Sequence, residues 1–198
     1  MKTKSKVAAA VLVALAAVSA TAMAAATKVK APLVCTRGDS DQTMNALITM
    51  PATAAVGSKF TVRVDGVNSG KISHTGLNYI FDMTTDYLVP DGAKVVDGSV
   101  KVVAETGTAN VRAGAKAWND KSGIHTYLPA HVEDGSDFTP PSLEFQLEVT
   151  GAVGTSMAFK LAQYRVAANA FVVGDVHTIC DPNPKPYTLG TTVAAKAE

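Results

Sequence analysis

Beyond residue 24 the sequence has no long apolar run, no sustained i, i+3, i+4 stripe and only two cysteines, Cys35 and Cys180. Each shortage removes a class of protein. A bilayer-spanning helix needs about 20 predominantly apolar residues, so no transmembrane segment is expected in 25–198. Without helical periodicity, helix bundles and βαβ alternation are excluded. The four histidines, His74, His125, His131 and His177, include no pair at metal-ligand spacing, which leaves a zinc site without support. No Gly-x-Ser-x-Gly elbow, His-Glu-x-x-His helix or phosphate loop occurs either. No catalytic, cofactor-binding or metal-binding residue is assigned on these grounds.

An excess of positive charge is also missing. The chain holds 18 Lys+Arg against 17 Asp+Glu, but Lys2, Lys4 and Lys6 precede an apolar run from Val7 to Val18 and the small residues of Ala22-Met23-Ala24. That three-part layout is a secretory signal peptide, assigned to 1–24. Removing its three lysines leaves 15 basic against 17 acidic residues, a net charge of −2. No basic patch then points to nucleic acid or anionic lipid. Residues 25–198 suit a single domain, with the tail from about 188 expected to fray. In an oxidising compartment the two cysteines are expected to pair, Cys35 with Cys180, closing a long loop; two free thiols are the alternative.

What the mature region does have is alternation. "KFTVRVDG" sets Phe60, Val62 and Val64 on one face, and "LEFQLEVT" does the same with Leu143, Phe145, Leu147 and Val149. "GLNYIFDM" groups Leu77, Tyr79, Phe81 and Met83, and "SMAFKLAQY" groups Met157, Phe159 and Leu161. Period two is the signature of a half-buried strand. "GAVG" at 151–154 reads as a hairpin turn joining the last two runs. "AGAKAWNDKSG" supports at most one helical turn. Strands broken by Gly and Pro at this cadence predict an all-β, two-sheet antiparallel sandwich of eight to ten strands.

"VCTRGDSDQT" admits three readings. Arg37-Gly38-Asp39-Ser40 spells an adhesion tetrapeptide. Gly38-Asp39-Ser40 spells a lipase-type nucleophile block, but no strand-to-helix context surrounds it, and Asp175 and His177 are spaced by two instead of three. Cys35 followed by a solvated loop is the preferred reading. Aromatic residues are only 6% of the chain, so those in weakly patterned stretches, Trp118, Tyr127 and Tyr187, are candidates for lining a groove. His131, Asp134 and Asp137 in "HVEDGSDFTPP" form the most polar cluster, either a ligand or Ca²⁺ contact or a solvated turn.

The segments "MPATAAVGSKFTVRVDG", "LEFQLEVTGAVGTSMAFKLAQYRV" and "CDPNPKP" resemble secreted actinobacterial proteins of immunoglobulin-like build, some named dehydratase or cyclase without a supporting residue pattern. The resemblance implies an exported immunoglobulin-like sandwich and transfers no catalytic residue. Two functions are carried forward. One is a non-enzymatic secreted or cell-envelope module that binds a surface polymer, protein or carbohydrate. The other is a secreted hydrolase or lyase assembled from separate loops, using His131, Asp134 and His177.

Overall fold

Alternation in the sequence becomes pleated strand wherever both faces have something to meet. The computed structural model describes residues 25–37, 41–68, 70–108 and 110–197; residues 1–24, expected to be a signal peptide, and Gly38-Asp39-Ser40 lie outside them. In chain order the strands are β1 (Thr27–Cys35), β2 (Asp41–Thr49), β3 (Thr53–Ala55), β4 (Lys59–Gly66), β5 (Leu77–Leu88), β6 (Ala93–Val95) and β7 (Lys101–Val103). They continue as β8 (Lys116–Asp120), β9 (Gly123–Leu128), β10 (Val132–Glu133), β11 (Ser142–Val149), β12 (Ser156–Ala170), β13 (Gly174–Pro182) and β14 (Tyr187–Ala195). Fourteen exceeds the eight to ten expected because β3, β6, β7 and β10 are three residues or shorter, too brief to show a period.

The two layers expected of a sandwich are here two halves of one hydrogen-bonded sheet. The path runs β6-β11-β4-β2-β1, then β13-β12-β5-β9-β8, curling into a nearly closed barrel. Among the described residues all ladders are antiparallel except that of β14 with β3. Along this path the halves join through β1 and β13 over three backbone pairs, Leu33–Pro182, Val34–Asp181 and Cys35–Cys180, and off it β3 pairs β14. Cys35 and Cys180 are disulfide-bonded at that last pair, so the bond crosses the seam itself.

One end of the barrel is solid. Phe60, Val62 and Val64 of β4, and Leu143, Phe145, Leu147 and Val149 of β11, point inward and are buried, as their alternation requires. They meet Met157, Phe159 and Leu161 of β12, with Phe145 and Phe159 ring centroids 5.3 Å apart. Past Leu161 the register of β12 against β5 shifts by a bulge. The inward residues then become Tyr164, Val166, Ala168 and Ala170, and a smaller apolar cluster of Met83, Leu128, Val132 and Phe138 stands opposite.

Four local expectations are corrected. "GLNYIFDM" does not keep one face, because Asp82 adopts a left-handed φ of 48° and the pairing slips there; Met83 turns inward while Tyr79 and Phe81 stay outside. A β-bulge has this effect by inserting one unpaired residue. "GAVG" is not a hairpin: β11 and β12 do not pair, and the turn carries the chain across the core from one half to the other. Both strands show apolar faces because they face each other across the interior. "KAWND" is strand β8, paired with β9, so isolated helix propensity is overridden by a partner. The tail expected to fray is β14, held because Leu189, Thr192 and Ala194 are buried and Thr192 Oγ1 donates to the Pro51 carbonyl at 2.6 Å.

Replacing Cys35 and Cys180 by serine opens a loop of 145 residues that spans the seam. The double variant is expected to lose stability by up to about 5 kcal/mol, read as a lower urea midpoint than the oxidised wild type.

Candidate functional site

Cross-strand partners in a sheet share a face, so the ladders assemble the outer surface of β8, β9, β5, β12 and β13. Trp118 stands opposite His125, and His125 opposite Asp86. Tyr127 stands opposite Thr84, which pairs with Arg165. Further along, Tyr79 pairs with Asn169, and Phe81 with Ala167, which in turn pairs with His177. Trp118 is 41% exposed and stacks on His125 with centroids 5.2 Å apart. His131, arriving between β9 and β10, stacks on Tyr79 at 4.4 Å and lies 5.6 Å from Phe81.

Three of the five ligand candidates read from sequence, Trp118, Tyr127 and His131, therefore lie on this one face. The bulge at Asp82 is what puts Tyr79 and Phe81 beside them, and the same bulge aims the Asp82 carboxylate at Tyr127. The Tyr127 hydroxyl donates to Asp82 Oδ1 at 2.5 Å, and holding that proton against a carboxylate raises its phenol above the ordinary value. Asp134 and Asp137 lie instead where two loops cross. Asp134 Oδ1 accepts the His74 backbone N–H at 3.3 Å, and the Asp137 backbone forms an isolated antiparallel β-bridge with that of Lys71. Among the described residues no group of three His, Cys, Asp or Glu is placed to hold a metal. Tyr187 packs against the main core.

The trio His131, Asp134 and His177 does not converge. His131 is stacked on β5, while His177 sits on β13 with β12 between them, roughly 10 Å away at ordinary strand spacing. Sequence reasoning missed a different cluster. His125, whose side chain is nearly buried, has Nδ1 2.7 Å from Asp86 Oδ1, and Arg165 Nη2 donates to the other Asp86 oxygen at 2.5 Å. Its Nε2 is 3.1 Å from both Ser122 Oγ and Asp120 Oδ1. The signal was there: "NDKSG" between alternating runs is a two-residue turn, and that register sets Trp118 against His125.

Ser122–His125–Asp86 has the connectivity of a hydrolytic triad, in which the imidazole accepts the serine proton. Asp120 intercepts that proton. Ser122 Oγ donates to Asp120 Oδ1 at 2.5 Å, and the Ser122 backbone N–H donates to the same oxygen at 2.7 Å. The cluster thus clamps the β8–β9 turn onto β5. Gly123, at φ 145°, completes the clamp, because a Cβ there would lie 2.1 Å from the Tyr87 carbonyl oxygen. The Ser122 hydroxyl and N–H, followed by His125, hold the Asp120 carboxyl well below the usual carboxylate range.

No family model matches the chain, and no curated protein does. Two solved structures are similar in outline. A cohesin module from a Clostridium perfringens ATCC13124 family 33 glycoside hydrolase has 10% identity and a TM-score of 0.40, over 84% of this chain and 99% of that one. A protein described as membrane anchored, from Corynebacterium diphtheriae, has 12% identity and a TM-score of 0.36, over 87% of this chain and 38% of that one. Similarity at this level leaves the functional reading to the residues.

A carboxylate with a lowered folded pKa contributes stability above its unfolded value, and that contribution is lost as the pH falls through the folded one. Asp120→Asn is therefore expected to lower the melting temperature at neutral pH. The gap to wild type should close progressively as the pH drops below the ordinary carboxylate value, as thermal denaturation from pH 7 down to pH 2 would show.

Proposed function

We propose that this protein is an exported, non-enzymatic module of the cell envelope that holds a carbohydrate polymer along the outer face of β8, β9, β5 and β12. The observation that carries the reading is the row of Trp118, Tyr127, Phe81, Tyr79 and His131 on one face of a continuous sheet. Aromatic rings offer flat apolar surface to the C–H faces of a sugar, at little entropic cost because they have few rotatable bonds. Asp82, Asp86 and Arg165 on the same face supply acceptors and donors for hydroxyl groups. Four strands at about 4.8 Å spacing make the platform about 15 Å across from β8 to β12, broad enough for several sugar units. Export is supported by the Lys-rich, apolar leader and by a disulfide that needs an oxidising compartment.

Purified protein is expected to be retained by isolated cell-wall polysaccharide in affinity electrophoresis. Trp118→Ala and Tyr79→Ala should each weaken retention by about tenfold, equivalent to about 1.4 kcal/mol, while Val153→Ser, on an exposed loop elsewhere, should not. Migration unaffected by every envelope glycan, or equal retention of all variants, would count decisively against the reading.

A further inference from the structure

Interior side chains of β12 shrink beyond Tyr164, through Val166 to Ala168 and Ala170, and the barrel empties as they do. Where Tyr164, Val166, Ala168 and Ala170 replace Met157, Phe159 and Leu161, the interior opens into a cavity of about 560 Å³. That lies inside the range of about 300–1,000 Å³ typical of small-molecule sites. Leu33, Met44, Ile80 and Phe138 make its other walls apolar. The half-buried Tyr164 and the buried Thr85 and Thr178 add hydroxyls to the wall. Arg37 and Lys71, both exposed, also border it. The cavity and the aromatic platform are opposite faces of the same strands, so they are separate sites.

A second observation adjoins the first. The turn between β12 and β13 consists of Phe171, Val172 and Val173, exposed by 83%, 87% and 68%. Turns ordinarily take Gly, Asn, Asp, Ser or Pro for conformational reasons. Three consecutive exposed apolar residues lose free energy in water and gain nothing from the fold. The turn is tied to the cavity: the Phe171 N–H donates to the Gly76 carbonyl at 2.8 Å, and the adjoining pair Ala170–Leu77 lines the wall.

We propose that the cavity binds the alkyl chain of an anionic single-chain amphiphile, taken up from a lipid surface on which the Phe171–Val173 turn seats. The apolar wall accepts the chain, and Arg37 and Lys71 complement an acidic headgroup at the border. The turn lowers the barrier to transfer, because a chain passing from lipid to cavity beside it crosses little water. This inference is independent of polymer binding, so Trp118→Ala should leave it unchanged.

The test uses the disulfide-bonded protein, a polyene fatty acid that fluoresces on leaving water, and vesicles of phosphatidylglycerol mixed with phosphatidylcholine. Saturable uptake, competed by palmitate, is expected. Ala168→Phe should fill the cavity and weaken uptake by about tenfold or more with the melting temperature kept. Should that variant not fold, Ala170→Leu makes the same comparison beside the turn. Phe171→Ser, Val172→Ser and Val173→Ser together should preserve affinity for the monomeric probe yet abolish sedimentation with vesicles and slow transfer from them. Absence of saturable uptake, uptake indifferent to both cavity substitutions, or a triple variant that sediments like wild type would overturn the proposal.

Discussion

Cys35 and Cys180 fasten a seam at which two halves of the sheet pair over only a short stretch of backbone. β1 reaches β13 through three paired residues, with the Thr36 N–H to the Ile179 carbonyl and the Asn183 N–H to the Pro32 carbonyl at its margins. On one side of that seam lie β6, β11, β4 and β2; on the other lie β12, β5, β9 and β8. Opposite this seam the parallel ladder of β3 with β14 ties the two sides a second time, and the core of β4, β11 and β12 side chains fills the space between. A covalent bond placed at a register pair keeps the two ends together in the unfolded chain as well, where backbone pairing alone would leave them far apart.

Given a closed seam, the bulges decide what each strand offers to which side. At Asp82 the left-handed backbone reverses the phase of β5, so Met83, Thr85 and Tyr87 are inside while Tyr79 and Phe81 are outside. Beyond Leu161 a second slip resets β12, and after Tyr164 small residues take over the interior. One set of strands therefore carries an aromatic outer surface and a hollow inner one. Bulges weaken a ladder locally; in this molecule they sit beside both candidate binding surfaces.

The clamp around His125 shows how a polar cluster on the outer face adds to the apolar packing of Ile124 and Leu128 in pinning a hairpin. Trp118 covers one face of the imidazole, Asp86 and Asp120 meet its two nitrogens, and Arg165 reaches in from β12. The ring joins β8, β9 and β5 directly, and Asp86 extends the link to β12. Its residue types match those of a hydrolytic site, but the position of Asp120 gives the serine proton a different destination. Connectivity alone is therefore a poor guide to chemistry when a further acid stands in the same turn.

Much of the strand content was readable from residues alone. Phe60-Val62-Val64, Leu143 through Val149 and Met157-Phe159-Leu161 alternate because each borders water on one side and the core on the other, a local constraint written into neighbouring residues. The cysteine pairing followed from compartment and count. The sequence of "GLNYIFDM" could not show that Asp82 would break its phase, since that depends on what β12 requires opposite it. Nor could "GAVG" show whether its strands pair or face each other, because both arrangements demand the same alternation. Gathering Trp118, Tyr127 and His131 with Tyr79 and Phe81, and closing His125 between Asp86 and Asp120, took register between strands distant in the chain. Local periodicity determined which segments are strands; only tertiary pairing decided which faces they share, because one residue of slip exchanges inside for outside.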